Sequence, residues 1–119
     1  MDDVIPIFPL QTVLFPGMLL PLHIFEERYR QMVRDCMDGD DTFGVTLIRS
    51  GSEVGAPAVP HEIGTLARIV RLDPLEDGRF FLVALGEERF RIRELRTERP
   101  YLQASVEPVS VNLRSLMKL

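Results

Sequence analysis

The sequence predicts a mainly β domain with one helix (α+β), built as a small barrel or two packed sheets of six or seven strands. Three observations carry this. Short runs rich in β-branched and aromatic residues recur along the chain, separated by Gly and Pro turns. One stretch alone has convincing helical periodicity. The 119 residues are 45% hydrophobic, and surface scaling then leaves exposed roughly a third of the area of the unfolded chain, enough for a core without staples.

Val4-Ile5-Pro6-Ile7-Phe8-Pro9-Leu10 reads as extended, because each residue before a proline is pushed from the α region. Prolines within a strand imply an edge or a bulge. Val13 to Gly17 is an apolar loop ending in a Pro-Gly turn, and Met18 to Ile24 is a second extended piece. Phe25 to Met37 is the helix, with Tyr29, Met32, Val33, Cys36 and Met37 on one stripe. Glu26 and Glu27 suit the positive end of its dipole. Gly39 is placed for a left-handed C-terminal residue.

The remainder reads as β. Thr42 to Arg49 is a strand, and Ser50 to Glu62 a loop of about a dozen residues with two glycines and two prolines. Ile63 to Leu72 is a strand, followed by a hairpin turn at Glu76-Asp77-Gly78. Arg79 to Leu85 is apolar at every position after the arginine, so it is expected as a central strand covered on both faces. Gly86-Glu87-Glu88 is expected to turn. Phe90 and Ile92 alternate with Arg89, Arg91 and Arg93 in a half-exposed strand, and Leu102, Ala104 and Val106 alternate in the last. Residues 1–110 are expected to form one domain. Residues 111–119 are expected as a tail that starts a helix, with Leu113, Leu116 and Met117 on its inner side; this tail is also a possible contact between chains.

Composition excludes several function classes. The formal net charge is −4; residues 1–60 hold nine acidic and four basic side chains, and residues 61–119 nine and ten. Neither half has the basic surplus of a nucleic-acid binder. Cys36 is the single cysteine, so no internal disulfide is expected, which fits a reducing cytoplasm. The acidic start is unlike a secretory signal. The longest apolar stretch, Val13 to Leu22, is broken by prolines and falls short of the roughly 20 residues that span a membrane.

No phosphate loop is present, and Lys118 is the one lysine, so neither ATP hydrolysis nor a serine–lysine dyad is expected. His23 and His61 lack partners at metal-ligand spacing. His23 is expected as a hydrogen-bonded structural histidine, His61 as a solvated one, and Cys36 as a small buried hydrophobe. No catalytic residue, cofactor or metal is expected.

Two features remain as candidate binding elements. The face of Arg89, Arg91 and Arg93 resembles the basic faces of RNA-binding barrels. However, Glu87, Glu88, Glu94 and Glu98 interleave these arginines, and cross-strand ion pairing is the simpler account. The second feature is the apolar loop of Leu14, Phe15 and Met18. Its plainer reading makes Phe15 a plug in one end of the barrel. Its functional reading makes these three residues a patch for exposed apolar polypeptide, with Met adapting to many shapes.

The order and spacing of certain segments resemble the N-terminal substrate-recognition domain of the Lon ATP-dependent protease family, stand-alone or excised. These are Ile5-Pro6-Ile7-Phe8-Pro9-Leu10, Leu14-Phe15-Pro16-Gly17, Pro21-Leu22-His23-Ile24-Phe25-Glu26, Arg28-Tyr29 and Met32-Val33. Phe43-Gly44-Val45, Ile63-Gly64-Thr65, Asp77-Gly78-Arg79, Gly86 with Arg89-Phe90, and Pro100-Tyr101 follow. The resemblance implies a PUA-like pseudo-barrel with one helix across an end. It also implies a non-catalytic module that recognises unfolded or tagged polypeptides, with an ATP-dependent protease as a possible partner. The helical bundle, ATPase and serine–lysine protease of full Lon proteases are not matched, so peptidase activity does not carry over, and no peptide-contact set transfers.

Overall fold

The computed structural model describes residues 3–51 and 58–109. The element order is β1 (Asp3–Leu10), β2 (Leu19–Ile24), α1 (Glu27–Met37), β3 (Thr42–Ser50), β4 (Val59–Pro74), β5 (Phe80–Arg96) and β6 (Leu102–Pro108). The six strands form one sheet in the order β2-β5-β4-β3-β1-β6, and β5 also pairs with β6. That second pairing closes the sheet: β5, β4, β3, β1 and β6 form a ring, and β2 lies outside it on the first half of β5. The pairing of β1 with β3 is parallel; the others are antiparallel. The mainly β fold with one helix is as the sequence predicts.

Six strands form where the sequence suggests up to seven, because Gly86-Glu87-Glu88 does not turn. β5 runs unbroken through them, and the ladder with β4 shifts register between Thr65 and Ala67 opposite this stretch. The bulge bends β5, so one strand serves β2 with one half and β6 with the other. β1 is also not an edge strand. Residues 3–7 pair with β6 and residues 7–10 with β3. Pro6 and Pro9 therefore each sit where β1 is paired on one side alone, which is the local condition that tolerates a missing N–H.

The helix seats Tyr29, Met32, Val33 and Cys36 in the core, as the stripe predicts, but Met37 is exposed. The stripe ends there because the chain turns away at Asp38. Gly39 is not the left-handed residue; Asp41 is, at φ 60°. Both Gly39 and Asp41 donate backbone hydrogen bonds to the Cys36 carbonyl, so the reversal takes two further residues. The Phe8 ring stacks on Tyr29 at 4.2 Å between centroids, which ties the helix to β1. Beyond this main core, Ile7, Phe90 and Ala104 fill the ring interior. Phe90 fits because a Cβ at Gly44 or Gly64 would lie within 2.7 Å of its ring.

Val59–Glu62 belongs to β4 rather than to the expected long loop; its centre and the tail with Leu113, Leu116 and Met117 lie outside the described residues.

Candidate functional site: an uncovered apolar face

The loop between β1 and β2 is shaped by Phe15-Pro16-Gly17-Met18. The Met18 N–H donates to the Phe15 carbonyl at 3.0 Å, and Gly17 has φ +84°. Pro then Gly at the two central positions is the chemistry of a type II turn. Three further bonds pin the loop to the barrel. Gly17 N–H donates to the Gly86 carbonyl and Gly86 N–H to the Met18 carbonyl, both at 2.8 Å. The Thr65 hydroxyl donates to the Leu14 carbonyl at 2.7 Å.

This anchoring divides the three candidate residues. Leu14 is 3% exposed and belongs to the core, so it is not available as a surface contact. Phe15 is 57% exposed and Met18 37%. Phe15 is therefore not a plug in the barrel: Leu14, one residue earlier, takes the interior place and the turn directs the next side chain outward.

The exposed apolar surface continues along β2 and β5. Leu20 and Ile24 are buried, and Leu19, Pro21 and His23 face away. Opposite them on β5 stand Leu85, Val83 and Phe81. Leu19 is 59% exposed and Phe81 49%. His23 stacks on Phe81 with centroids 4.7 Å apart, and Phe25 leans on the same imidazole at 5.6 Å. Arg79 Nη1 lies 3.2 Å from His23 Nε2; the guanidinium can only donate, so this nitrogen accepts. His23 is thus hydrogen-bonded, as expected, but it is a surface residue.

Arg79 to Leu85 is central, between β2 and β4, but it is not covered on both faces. Leu82 and Ala84 face the core, while Phe81 is exposed and Val83 and Leu85 are half-buried. The single helix packs on the core side, and among the described residues no element lies over the other. Leu19 closes the apolar run that begins at Leu14 and was visible in the sequence; sequence reasoning missed Phe25, Phe81, Val83 and Leu85. The signal was a strand apolar on both faces in a chain with one helix to cover it.

The arginine face is electrostatically occupied. Arg91 Nη1 reaches Glu62 at 3.1 Å, and Arg93 Nη1 reaches Glu107 at 3.5 Å, both across strands. Phe90 points inward, away from them. Cys36 is buried, and burial first, then the nearby Asp35 and Asp41 carboxylates, pushes its thiol up to about 12. It donates to the Thr42 carbonyl at 3.4 Å and behaves as a small hydrophobe.

A sheet closed into a five-stranded ring with β2 outside it, one helix, and an apolar face left uncovered among the described residues define a small β-barrel domain. Comparison with known proteins makes this specific. The family model of the ATP-dependent protease La (LON) substrate-binding domain matches residues 4–118, and the chain belongs to that family. It is 38% identical over 109 residues to Lon protease 2 of Myxococcus xanthus, covering 90% of this chain and 13% of that protein. It is 36% identical over 108 residues to the Lon protease of Flavobacterium johnsoniae, covering 89% and 13%. The chain thus spans about an eighth of the length of these relatives. The crystal structure of a Lon N-terminal domain protein from Xanthomonas campestris is similar with a TM-score of 0.74 and 38% identity, over 91% of this chain and 62% of that one.

Proposed function

We propose that this domain is a non-catalytic module that binds unfolded or tagged polypeptides and presents them to an ATP-dependent protease in the cytoplasm. The observation that carries the reading is the apolar face on which Phe15, Met18, Leu19 and Phe81 are exposed and Val83 and Leu85 half-buried, with no covering element among the described residues. Exposed apolar patches of this kind mark interaction sites on folded proteins. The loop supplies a flexible Met beside rigid aromatic rings, a combination that accepts many apolar sequences with low specificity. Membership of a substrate-binding family supports the same reading. The ion pairs of Arg91 and Arg93 weigh against RNA binding through the arginine face.

Salt separates the two functions. A fluorescein-labelled, permanently unfolded polypeptide is titrated by anisotropy at 50 and 500 mM salt, beside a 20-nucleotide RNA. Apolar binding predicts a polypeptide Kd that changes by less than about threefold, because counterion release is not its driving force. Tighter binding of the RNA, with affinity falling steeply in salt, would replace the polypeptide reading by the nucleic-acid one.

A further inference from the structure

A second opening lies on the other side of the β1–β2 loop. It is a cleft of about 390 Å³ between that loop and strands β3, β4 and β5, within the size range of ligand pockets. Val13, Val45, Leu47 and Ile63 supply its apolar wall, and Arg89 stands in it. The arginine is unusual among its neighbours. Arg91 and Arg93, on the same strand face, are paired with carboxylates, whereas the Arg89 side chain has no hydrogen-bond or ion-pair partner among the described residues. Its Nε is buried and unpartnered, so a ligand in the cleft would meet the terminal nitrogens of the guanidinium. Leaving a buried donor unsatisfied is costly, and nothing in the fold described above requires an arginine there. The other polar groups of the cleft do not answer it. The Thr65 hydroxyl is committed to the Leu14 carbonyl, Glu62 is engaged by Arg91, and His61 adds a second nitrogen group at the wall.

We propose that this cleft is a carboxylate site, which takes the free C-terminal carboxylate of a polypeptide whose last side chain is apolar. A guanidinium matches a carboxylate in a planar, two-bond geometry, and the apolar wall takes the neighbouring side chain. Terminal-carboxylate capture is an established mode of peptide recognition. Val13 and Leu14 in the cleft wall and Phe15 and Met18 on the apolar face belong to one loop, so the cleft and the apolar face adjoin the same segment. The inference rests on the polypeptide-binding reading for its occupant, but the site itself can be tested apart from it.

The test titrates the 119-residue protein with N-acetyl-leucine, N-acetyl-leucinamide and octanoate, following backbone amide shifts of Val13, Gly64 and Thr65 by NMR. The site predicts that the acid moves these signals and that the amide binds at least tenfold more weakly. Arg89→Gln should erase the difference between acid and amide, and Arg91→Gln should leave it. Arg89→Lys, which keeps the charge, should retain part of it. Equal binding of acid and amide to the wild-type protein, or binding of neither, overturns the site without recourse to any variant. Tighter binding of octanoate than of N-acetyl-leucine overturns the polypeptide terminus as the occupant. If the acid binds at the cleft while unfolded polypeptide fails to bind the apolar face, the site stands and the proposed function falls.

Discussion

Replacing Gly86 by alanine isolates the contact that holds the β1–β2 loop. A Cβ at Gly86 would lie 2.3 Å from the Phe15 carbonyl oxygen. That neighbour is backbone, so no side-chain rotation relieves the clash and the loop must move. Moving it breaks the two 2.8 Å bonds that join Gly86 to Gly17 and Met18, each worth about 0.5–1.5 kcal/mol net. It also lifts Leu14 from the core, where full burial contributes about 1.5–3 kcal/mol. Partial relaxation recovers some of this, and a loss of about 3 kcal/mol is expected, a large share of the 5–15 kcal/mol typical of a domain. Gly17→Ala is the control. Gly17 has φ +84° but nothing within 4 Å of an added Cβ, so it bears left-handed backbone strain alone, about 1–2 kcal/mol. Thermal unfolding followed by circular dichroism should show Gly86→Ala melting well below Gly17→Ala. Melting of Gly86→Ala at or above the temperature of Gly17→Ala would refute the reasoning, because the loop would then not be held at that contact.

Two further outcomes follow from buried groups. Tyr101 donates to Asp35, whose carboxyl is held below its ordinary range by that bond first and then by Gln31 and Arg99, against the opposing effect of burial; burial and the same carboxylate push the phenol up. Tyr101→Phe should cost about 1.5 kcal/mol, the lower end for a hydrogen bond to a charged group. Because the folded Asp35 value is lowered, its share is present above about pH 4 and lost as pH falls through the folded value. Because the folded Tyr101 value is raised, its share is present below about pH 10 and lost as pH rises further. Urea unfolding of both proteins from pH 3 to 11 should show a stability gap that is level near neutrality and narrows at both ends; a gap that widens in acid contradicts the assignment. Cys36, with its thiol pushed up to about 12, should react with a thiol reagent at pH 8 at least a hundredfold more slowly in the folded than in the denatured protein. Rates within tenfold of one another would show that it is accessible.

The fold was legible in the sequence wherever a local pattern answers to one partner. The helix stripe of Tyr29, Met32, Val33 and Cys36, the alternation around Phe90, and the turns at Gly17 and Gly78 depend on neighbours three or four residues away. The errors arose where the outcome depends on the rest of the sheet. Pro6 and Pro9 suggested an edge or a bulge, yet β1 changes partner at Ile7, which no local pattern records. Gly86 suggested a turn, yet it marks a bulge at which a distant loop comes within contact of the strand. The candidate site was half visible. Phe15 and Met18 stood out as an apolar loop, but Leu14 was grouped with them because the loop's anchoring bonds come from Thr65 and Gly86, about 50 and 70 residues away. The Arg79 to Leu85 run was read as covered on both faces, since periodicity shows that a strand is apolar and not what lies over it.

The proposed function makes the face of β2 and β5 that is uncovered among the described residues, with its adjoining loop, a binding surface rather than part of the folding core. A triple variant, Phe15→Ser, Leu19→Ser and Phe81→Ser, tests it most directly, with affinity for an unfolded polypeptide and melting temperature measured on the same sample. All three side chains are about half exposed or more, so the melting temperature should change by no more than a few degrees while affinity falls at least tenfold. Unchanged affinity with an unchanged melting temperature would contradict the account.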